Sequence, residues 1–80
     1  MPRVRGQFGP YRLFFTSFDC IEPAHVHVER DGMRCKFWLD PVRLANHGGF
    51  DMRELNRIET LIRSHLAVIL ELWNAHCHPR

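Results

Sequence analysis

Residues 25–39 read HVHVERDGMRCKFWL, and this stretch decides the fold. Polar and apolar side chains alternate on both sides of Asp31-Gly32. A period of two is typical of β-strands, whose successive side chains point to opposite faces of a sheet. Asp-Gly between two alternating runs is a strong signal for a two-residue hairpin turn. The stretch therefore predicts two antiparallel strands, with Met33–Leu39 as the returning strand.

Pairing through this turn determines which side chains share a face of the sheet. Cys35 and Phe37 are expected on the same face as Val26 and Val28. Pro23 cannot donate to a strand ladder, so it marks the beginning of the first strand. The opposite, polar face is expected to carry His25, His27, Glu29, Arg34, Lys36 and Trp38.

The flanking segments extend this hairpin into a small sheet. Tyr11–Phe18 is rich in aromatic residues and predicts a strand, while Val42–Ala45 predicts a short further strand. Met1–Gly9 is compatible with either an edge strand or an ordered arm. No segment of helical length separates the strands, so we expect an antiparallel meander of three or four strands.

The C-terminal third predicts one long helix. Asp51 followed by Glu54 matches a capping box, so the helix is expected from Met52 to about His76. Beyond His65 the helix is apolar all round, and such a helix needs cover on more than one side. The predicted core stripe is Leu55, Ile58, Ile62, His65, Ile69, Leu72 and His76. Residues 1–80 are thus expected to form a single α+β domain, with a β-rich part over 1–50 and the long helix within 51–78.

Composition narrows the function classes. Eleven basic against nine acidic residues give a net charge of +2, which is too weak to indicate a nucleic-acid binder by itself. Cys20, Cys35 and Cys77 are odd in number and lack a framework spacing. They predict small hydrophobic side chains in a reducing cytoplasm rather than a disulfide scaffold. The longest apolar run, Leu66–Leu70, is far too short to span a membrane.

Four stretches together resemble a known bacterial family, the domain-of-unknown-function family four-one-six-zero. They are EPAHVHV at 22–28, KFWLDPV at 36–42, Gly49-Phe50, and a helix with His65 eight residues before Trp73. The resemblance covers nearly the whole chain. Two departures are Ala24, where a second proline is usual, and Cys20, which lies near a loop position often held by histidine.

The resemblance implies a partner more strongly than a reaction. The family has no settled activity, and its members are often encoded beside a second small protein, in an arrangement similar to toxin–antitoxin pairs. We therefore expect one component of a two-protein module that acts through protein–protein association, as a homodimer or with a cognate small protein, without a cofactor or a membrane. The candidate interface residues lie on the part of the predicted helix that is apolar all round. They are Leu66, Val68, Leu70 and Trp73.

Two other function classes stay open. A small ribonuclease-like or RNA-binding protein would use histidines as acid and base, since imidazole titrates near neutral pH. Its candidate catalytic residues are His25, His27 and His65, and its candidate phosphate- or nucleic-acid-binding residues are Arg12, Arg34, Lys36 and Trp38. A zinc-binding protein would use His25 and His27 with Cys20 or Glu29, because His-x-His alone is an incomplete ligand set.

Each histidine also has a structural interpretation. His25 and His27 can be hydrogen-bonded to their neighbours on a strand face, and His65 can be a buried histidine bonded to a backbone carbonyl or a carboxylate. The run His76-Cys77-His78 lies at a chain end, where adventitious metal capture is favoured over a designed site.

Overall fold

The computed structural model describes residues 3–4, 8–16 and 19–78. In these residues the fold is α+β, with a five-stranded antiparallel sheet in meander order. The strands are β1 (Arg3–Val4), β2 (Arg12–Phe14), β3 (His25–Arg30), β4 (Met33–Leu39) and β5 (Val42–Asn46). Two helices follow, α1 (Met52–Ser64) and α2 (Leu66–Cys77), and a short 3₁₀ turn (Asp19–Ile21) precedes β3.

The meander order agrees with the sequence prediction, and the two-residue β1 adds a fifth strand at one edge. β1 also places Arg3 and Val4 in an edge strand rather than an ordered arm. The other parts of the N-terminal prediction, at positions 1–2 and 5–7, lie outside the described residues. So do positions 17–18 of the predicted aromatic strand.

The β3–β4 hairpin has the predicted register. Asp31 and Gly32 both have positive φ, 51° and 81°, as the two central residues of a type I′ turn require. Across the hairpin Val26 pairs with Phe37, and His27 pairs with Lys36. The predicted division into a valine face and a polar face is therefore confirmed.

The core lies between the valine face of the sheet and the two helices. The sheet contributes side chains such as Leu13, Val28 and Phe37, and α1 contributes Ile58 and Ile62, all essentially without solvent exposure. The remaining apolar side chains of the same cluster are Phe8, Tyr11, Phe15, Val26, Cys35, Leu39, Val42, Phe50, Leu55, Ile69 and Trp73. Neither of the described helices has both the length and the apolarity to cross a membrane.

The prediction of one long C-terminal helix is wrong, because the helix breaks at His65. Its backbone (φ −118°, ψ 18°) leaves the helical region, and its N–H bonds to Ile62 O at 3.1 Å rather than four residues back. Its Nδ1 bonds to Leu61 O at 3.0 Å, and Ser64 Oγ bonds to Thr60 O at 2.9 Å. Side chains that bond to carbonyls of the preceding turn compete with the helix and bend it.

The break moves the buried stripe in the second half of the predicted helix. In α1 the buried residues are Leu55, Ile58 and Ile62, as predicted, but in α2 they are Ile69 and Trp73. The predicted stripe residues His65, Leu72 and His76 are only half-buried. Trp73 is 5% exposed, so a residue predicted for an interface belongs to the core.

The start of α1 is fixed by its cap and by one carboxylate. Asp51 Oδ1 accepts a hydrogen bond from Glu54 N at 2.8 Å, as the predicted cap requires. The Glu54 carboxylate turns to the sheet, where Oε2 accepts from Tyr11 Oη at 2.9 Å and from Arg30 Nη1 at 2.7 Å. The hydrogen bond that Arg30 donates to the Glu54 carboxylate raises the pKa of Arg30 above its ordinary value. This carboxylate therefore ties α1 to Tyr11, which immediately precedes β2, and to β3.

A disulfide joins Cys20 and Cys77, 57 positions apart. The prediction of three unpaired cysteines is wrong for this pair, because the fold brings the 3₁₀ turn and the end of α2 to a Cα–Cα distance of 5.3 Å, within disulfide range. Cys35 is buried with a free thiol, as predicted. Burial raises its pKa to about 11.

Candidate functional site

His25, at the start of β3, is fully buried. Its Nδ1 lies 2.9 Å from Pro23 O, and because a carbonyl only accepts, Nδ1 must carry the proton. Glu22 Oε1 lies 3.8 Å from the same nitrogen. The His25 side chain thus holds the Glu22-Pro23 turn against the end of the sheet.

The His25 ring is enclosed by aromatic rings. The ring centroid of Trp38 lies 5.6 Å away and edge-on, and that of Trp73 in α2 lies 5.2 Å away. The His27 ring stands edge-on at 5.1 Å. A general acid or base must come within hydrogen-bond reach of the reacting group, and a side chain with no exposed surface does not meet that condition in this conformation. This surrounding favours the structural interpretation of His25.

His27 is half-buried on the polar face of the sheet. Its ring stacks on Phe14 of β2 at a centroid distance of 5.3 Å. The guanidinium carbons of Arg12 and Arg34 lie 4.9 and 4.8 Å from the same phenyl centroid. The main feature of this face is therefore the Phe14 ring with two arginine cations beside it. Cation–π contacts hold the arginine side chains in place.

The four predicted phosphate-binding residues all lie on this polar face, but carboxylates already engage its cations. Arg12 bonds to Glu29, and Arg34 Nη2 lies 3.6 Å from Glu29 Oε2. Lys36 Nζ bonds to Glu22 Oε1 at 2.5 Å. The same Nζ lies 4.5 Å from the ring centroid of Trp38, the fourth of these residues. Because these ion pairs neutralise much of the local charge, the face attracts phosphate less than its residue types suggest.

His65 lies in different surroundings from the other two candidate catalytic histidines. Its ring is edge-on to Phe8 at 5.1 Å, and its Nδ1 is bonded to Leu61 O, which is the backbone-carbonyl contact predicted for it. The described contacts of His65 do not include His25 or His27, so they give no sign of a catalytic histidine cluster.

An open groove of about 470 Å³ lies beside His65. Its surface is mostly apolar, and its lining residues are Phe8, Gly9, Pro10, Tyr11, Arg57, Thr60, Leu61, Ser64 and His65. Beyond the helix break, Val68 is 49% exposed. Of the other predicted interface residues, Leu66 and Leu70 are partly buried against the core.

The predicted metal ligands His25, His27 and Cys20 are not a converging group among the described residues, and Cys20 is bonded to Cys77. A different set converges: Cys20, His76 and Cys77 offer ligand atoms that all lie within 4.8 Å of one another. The sequence shows two of these three residues next to each other, as His76-Cys77. Their proximity to Cys20 depends on tertiary structure, which residue spacing does not reveal.

The model of one protein family, Domain of unknown function (DUF4160), matches residues 11–74. The chain belongs to this family. No curated protein and no solved structure matches the chain. The DUF4160 match runs from the start of β2 into α2 and so includes the histidine strand, the hairpin and His65. The family predicted from the sequence motifs is confirmed, while Cys77 lies beyond the matched residues.

Proposed function

We propose that this DUF4160 protein is a binding subunit, one component of a two-protein, toxin–antitoxin-like module of the bacterial cytoplasm. The observation that carries the proposal is the apolar groove beside His65 together with the half-exposed Val68. Leu61 and His65 line the groove at the end of α1, and Val68 and Leu72, four residues apart, share one side of α2 beyond the break. We infer that the groove and this side of α2 form one docking surface, which includes Leu61, Val68 and Leu72.

The composition of this surface suits a protein partner. Most of the groove surface is apolar, and its polar lining residues are Arg57, Thr60 and Ser64. An apolar centre with a polar rim is typical of protein interfaces. Burying apolar surface contributes about 25 cal/mol per Å². An amphipathic segment with two or three apolar anchors would therefore gain several kcal/mol, and an acidic side chain on it would meet Arg57.

We expect the isolated protein to cover the docking surface with a second copy. In a symmetric dimer the same patch serves both subunits, and antiparallel α2 helices would bring the two Val68 side chains to the same contact. In the complete module the cognate protein would occupy this surface instead.

The test compares two glutamate substitutions on α2 by light scattering after size exclusion. Wild-type protein at tens of micromolar should have twice the monomer mass, and Val68→Glu should be monomeric with an unchanged circular dichroism spectrum. Asn74→Glu is the matched control, since Asn74 is also exposed but lies on another side of α2, and it should remain dimeric. A monomeric wild type that also fails to bind the product of the adjacent open reading frame would overturn the proposal.

RNA binding is the second candidate function. It is favoured by the common placement of Arg12, Arg34, Lys36 and Trp38 on the polar face. Stacking of bases on Trp38 and phosphate contacts from Arg34 would be sequence-tolerant and salt-dependent. A mobility shift of single-stranded RNA that Arg34→Glu abolishes, without cleavage of the RNA, would support it. The absence of any shift at low salt would exclude it.

A further inference from the structure

The end of α2 and the 3₁₀ turn before β3 bring three metal-ligand side chains together. Cys20 and Cys77 are joined as a disulfide, and His76 is the neighbour of Cys77 in the chain. The ligand atoms of the three residues lie within 4.8 Å of one another, and none of the three is buried. Around a tetrahedral zinc ion with Zn–S and Zn–N bonds of about 2.3 and 2.0 Å, ligand atoms are about 3.5–3.8 Å apart. Small side-chain rotations would therefore suffice to close such a site.

The His76 imidazole has a backbone hydrogen bond that leaves Nδ1 free to act as a ligand. Its Nε2 lies 3.0 Å from Thr16 O, so Nε2 carries the proton and the lone pair of the neutral ring is on Nδ1. The ring also stacks on the buried Phe15 at a centroid distance of 5.7 Å and an interplanar angle of 18°. Histidines that bind metals almost always donate their second ring N–H to a carbonyl or carboxylate, which fixes the tautomer and the ring orientation.

We propose that reduction of the Cys20–Cys77 disulfide creates a zinc site formed by Cys20 Sγ, Cys77 Sγ and His76 Nδ1. A dithiol reductant breaks the S–S bond and becomes a disulfide itself, which leaves two protein thiols. Zinc then binds both sulfurs as thiolates, and two protons pass to solvent. Thiolates and imidazole are ligands that zinc prefers, and three protein ligands leave one coordination position for water or an external ligand.

The zinc ion would preserve the tether that the disulfide provides. In either state a crosslink joins the 3₁₀ turn to the end of α2, one turn beyond Trp73, whose ring packs on His25 and Phe15. Only the reduced, metal-free state lacks this crosslink. Zinc affinity is thereby linked to the redox state of the two cysteines, because the oxidised sulfurs cannot act as thiolate ligands.

Zinc titration of purified protein tests the proposal. The full chain is reduced with a phosphine, which leaves no competing thiol, and is titrated with zinc against a chromophoric chelator. Reduced wild type should bind one zinc ion per chain, and the oxidised protein should bind at least about a hundredfold more weakly. Cys77→Ser and His76→Ala should each weaken binding by more than about a hundredfold, because each removes a ligand and the loss of even a hydrogen-bond partner of a ligand costs about 10–100-fold. Cys35→Ser is the matched control, because Cys35 is a buried thiol outside the cluster, and it should bind zinc like wild type.

A cobalt titration makes the result independent of how well the variants fold. Reduced wild type with Co²⁺ should show the near-ultraviolet sulfur-to-cobalt charge-transfer absorption and the intense visible bands of a tetrahedral site. Their absence would overturn the proposal. Equal zinc affinity of the oxidised and reduced proteins, or of Cys77→Ser and wild type, would also overturn it, since the sulfurs would then not be ligands.

Discussion

Replacing His25 by alanine should destabilise the whole domain, although the residue lies in the motif that most suggests chemistry. The imidazole is fully buried among Trp38, Trp73 and His27, and its Nδ1 bonds to Pro23 O at 2.9 Å. Losing the hydrogen bond costs about 1 kcal/mol. The cavity costs about 2–3 kcal/mol more, somewhat less than the roughly 3–5 kcal/mol for a phenyl ring.

A loss of about 3–4 kcal/mol is large for this chain. Eighty residues correspond to a free energy of unfolding of about 4–12 kcal/mol. For a domain of this size each kcal/mol corresponds to roughly 4–8 °C, so the melting temperature should fall by about 15–25 °C. The measurement is urea and thermal unfolding of the oxidised protein, followed by circular dichroism and tryptophan fluorescence.

Two further substitutions test the components of this estimate. His25→Asn keeps an N–H near the position of Nδ1 and should recover about 1 kcal/mol relative to alanine. His27→Ala removes a half-buried ring stacked on Phe14 and should cost only about 1 kcal/mol. If His25→Ala lowers the melting temperature by less than about 5 °C, the packing argument is refuted.

Three further predictions concern the Cys35 thiol, two glycines and Tyr11. The free energy of unfolding should fall as pH rises from about 9 to 11, because the Cys35 thiol ionises earlier in the unfolded chain than in the folded protein, where its pKa is about 11. This loss amounts to about 2 kcal/mol by pH 10.5. Urea unfolding at pH 8 and 10.5 measures it, and Cys35→Ala should not show it. Gly48 has φ +62°, and a Cβ added there would lie 1.7 Å from a carbonyl oxygen of β4. Gly48→Ala should therefore prevent normal folding or cost about 3 kcal/mol or more. Gly9→Ala, at φ +60° with nothing within 4 Å of the added Cβ, should cost only about 1–2 kcal/mol in thermal melts, and an equal cost for both glycines would contradict the clash. Tyr11→Phe should cost about 1–2 kcal/mol in urea unfolding through loss of the bond to Glu54, and an unchanged midpoint would show that this bond contributes nothing.

The features predicted correctly from the sequence are those determined by neighbouring residues. The face assignment of β3 and β4 followed from alternation and from a two-residue turn, which together leave one register. The start of α1 followed from the Asp51 cap, because the bond to Glu54 N involves only residues three apart.

The features that were missed depend on residues far apart in the chain or on competing local bonds. Burial of His25 depends on Trp73, 48 positions later, whereas alternation placed His25 on a polar face. The disulfide depends on the path of α2 beyond the sheet. The helix break at His65 depends on side-chain bonds to backbone carbonyls, which compete with a helix that composition strongly favours.

The Cys20–Cys77 crosslink turns most of the chain into a ring. The ring spans 57 positions and contains β3, β4, β5, α1 and α2, whereas β1 and β2 lie on a tail outside it. Closing a loop of this length in the unfolded chain removes entropy worth about 4 kcal/mol at 25 °C, comparable with the entire packing contribution of His25. Oxidation should therefore favour folding of the β3–β4 hairpin and α1 within the ring. β2 can then add to the edge of the sheet by pairing with β3.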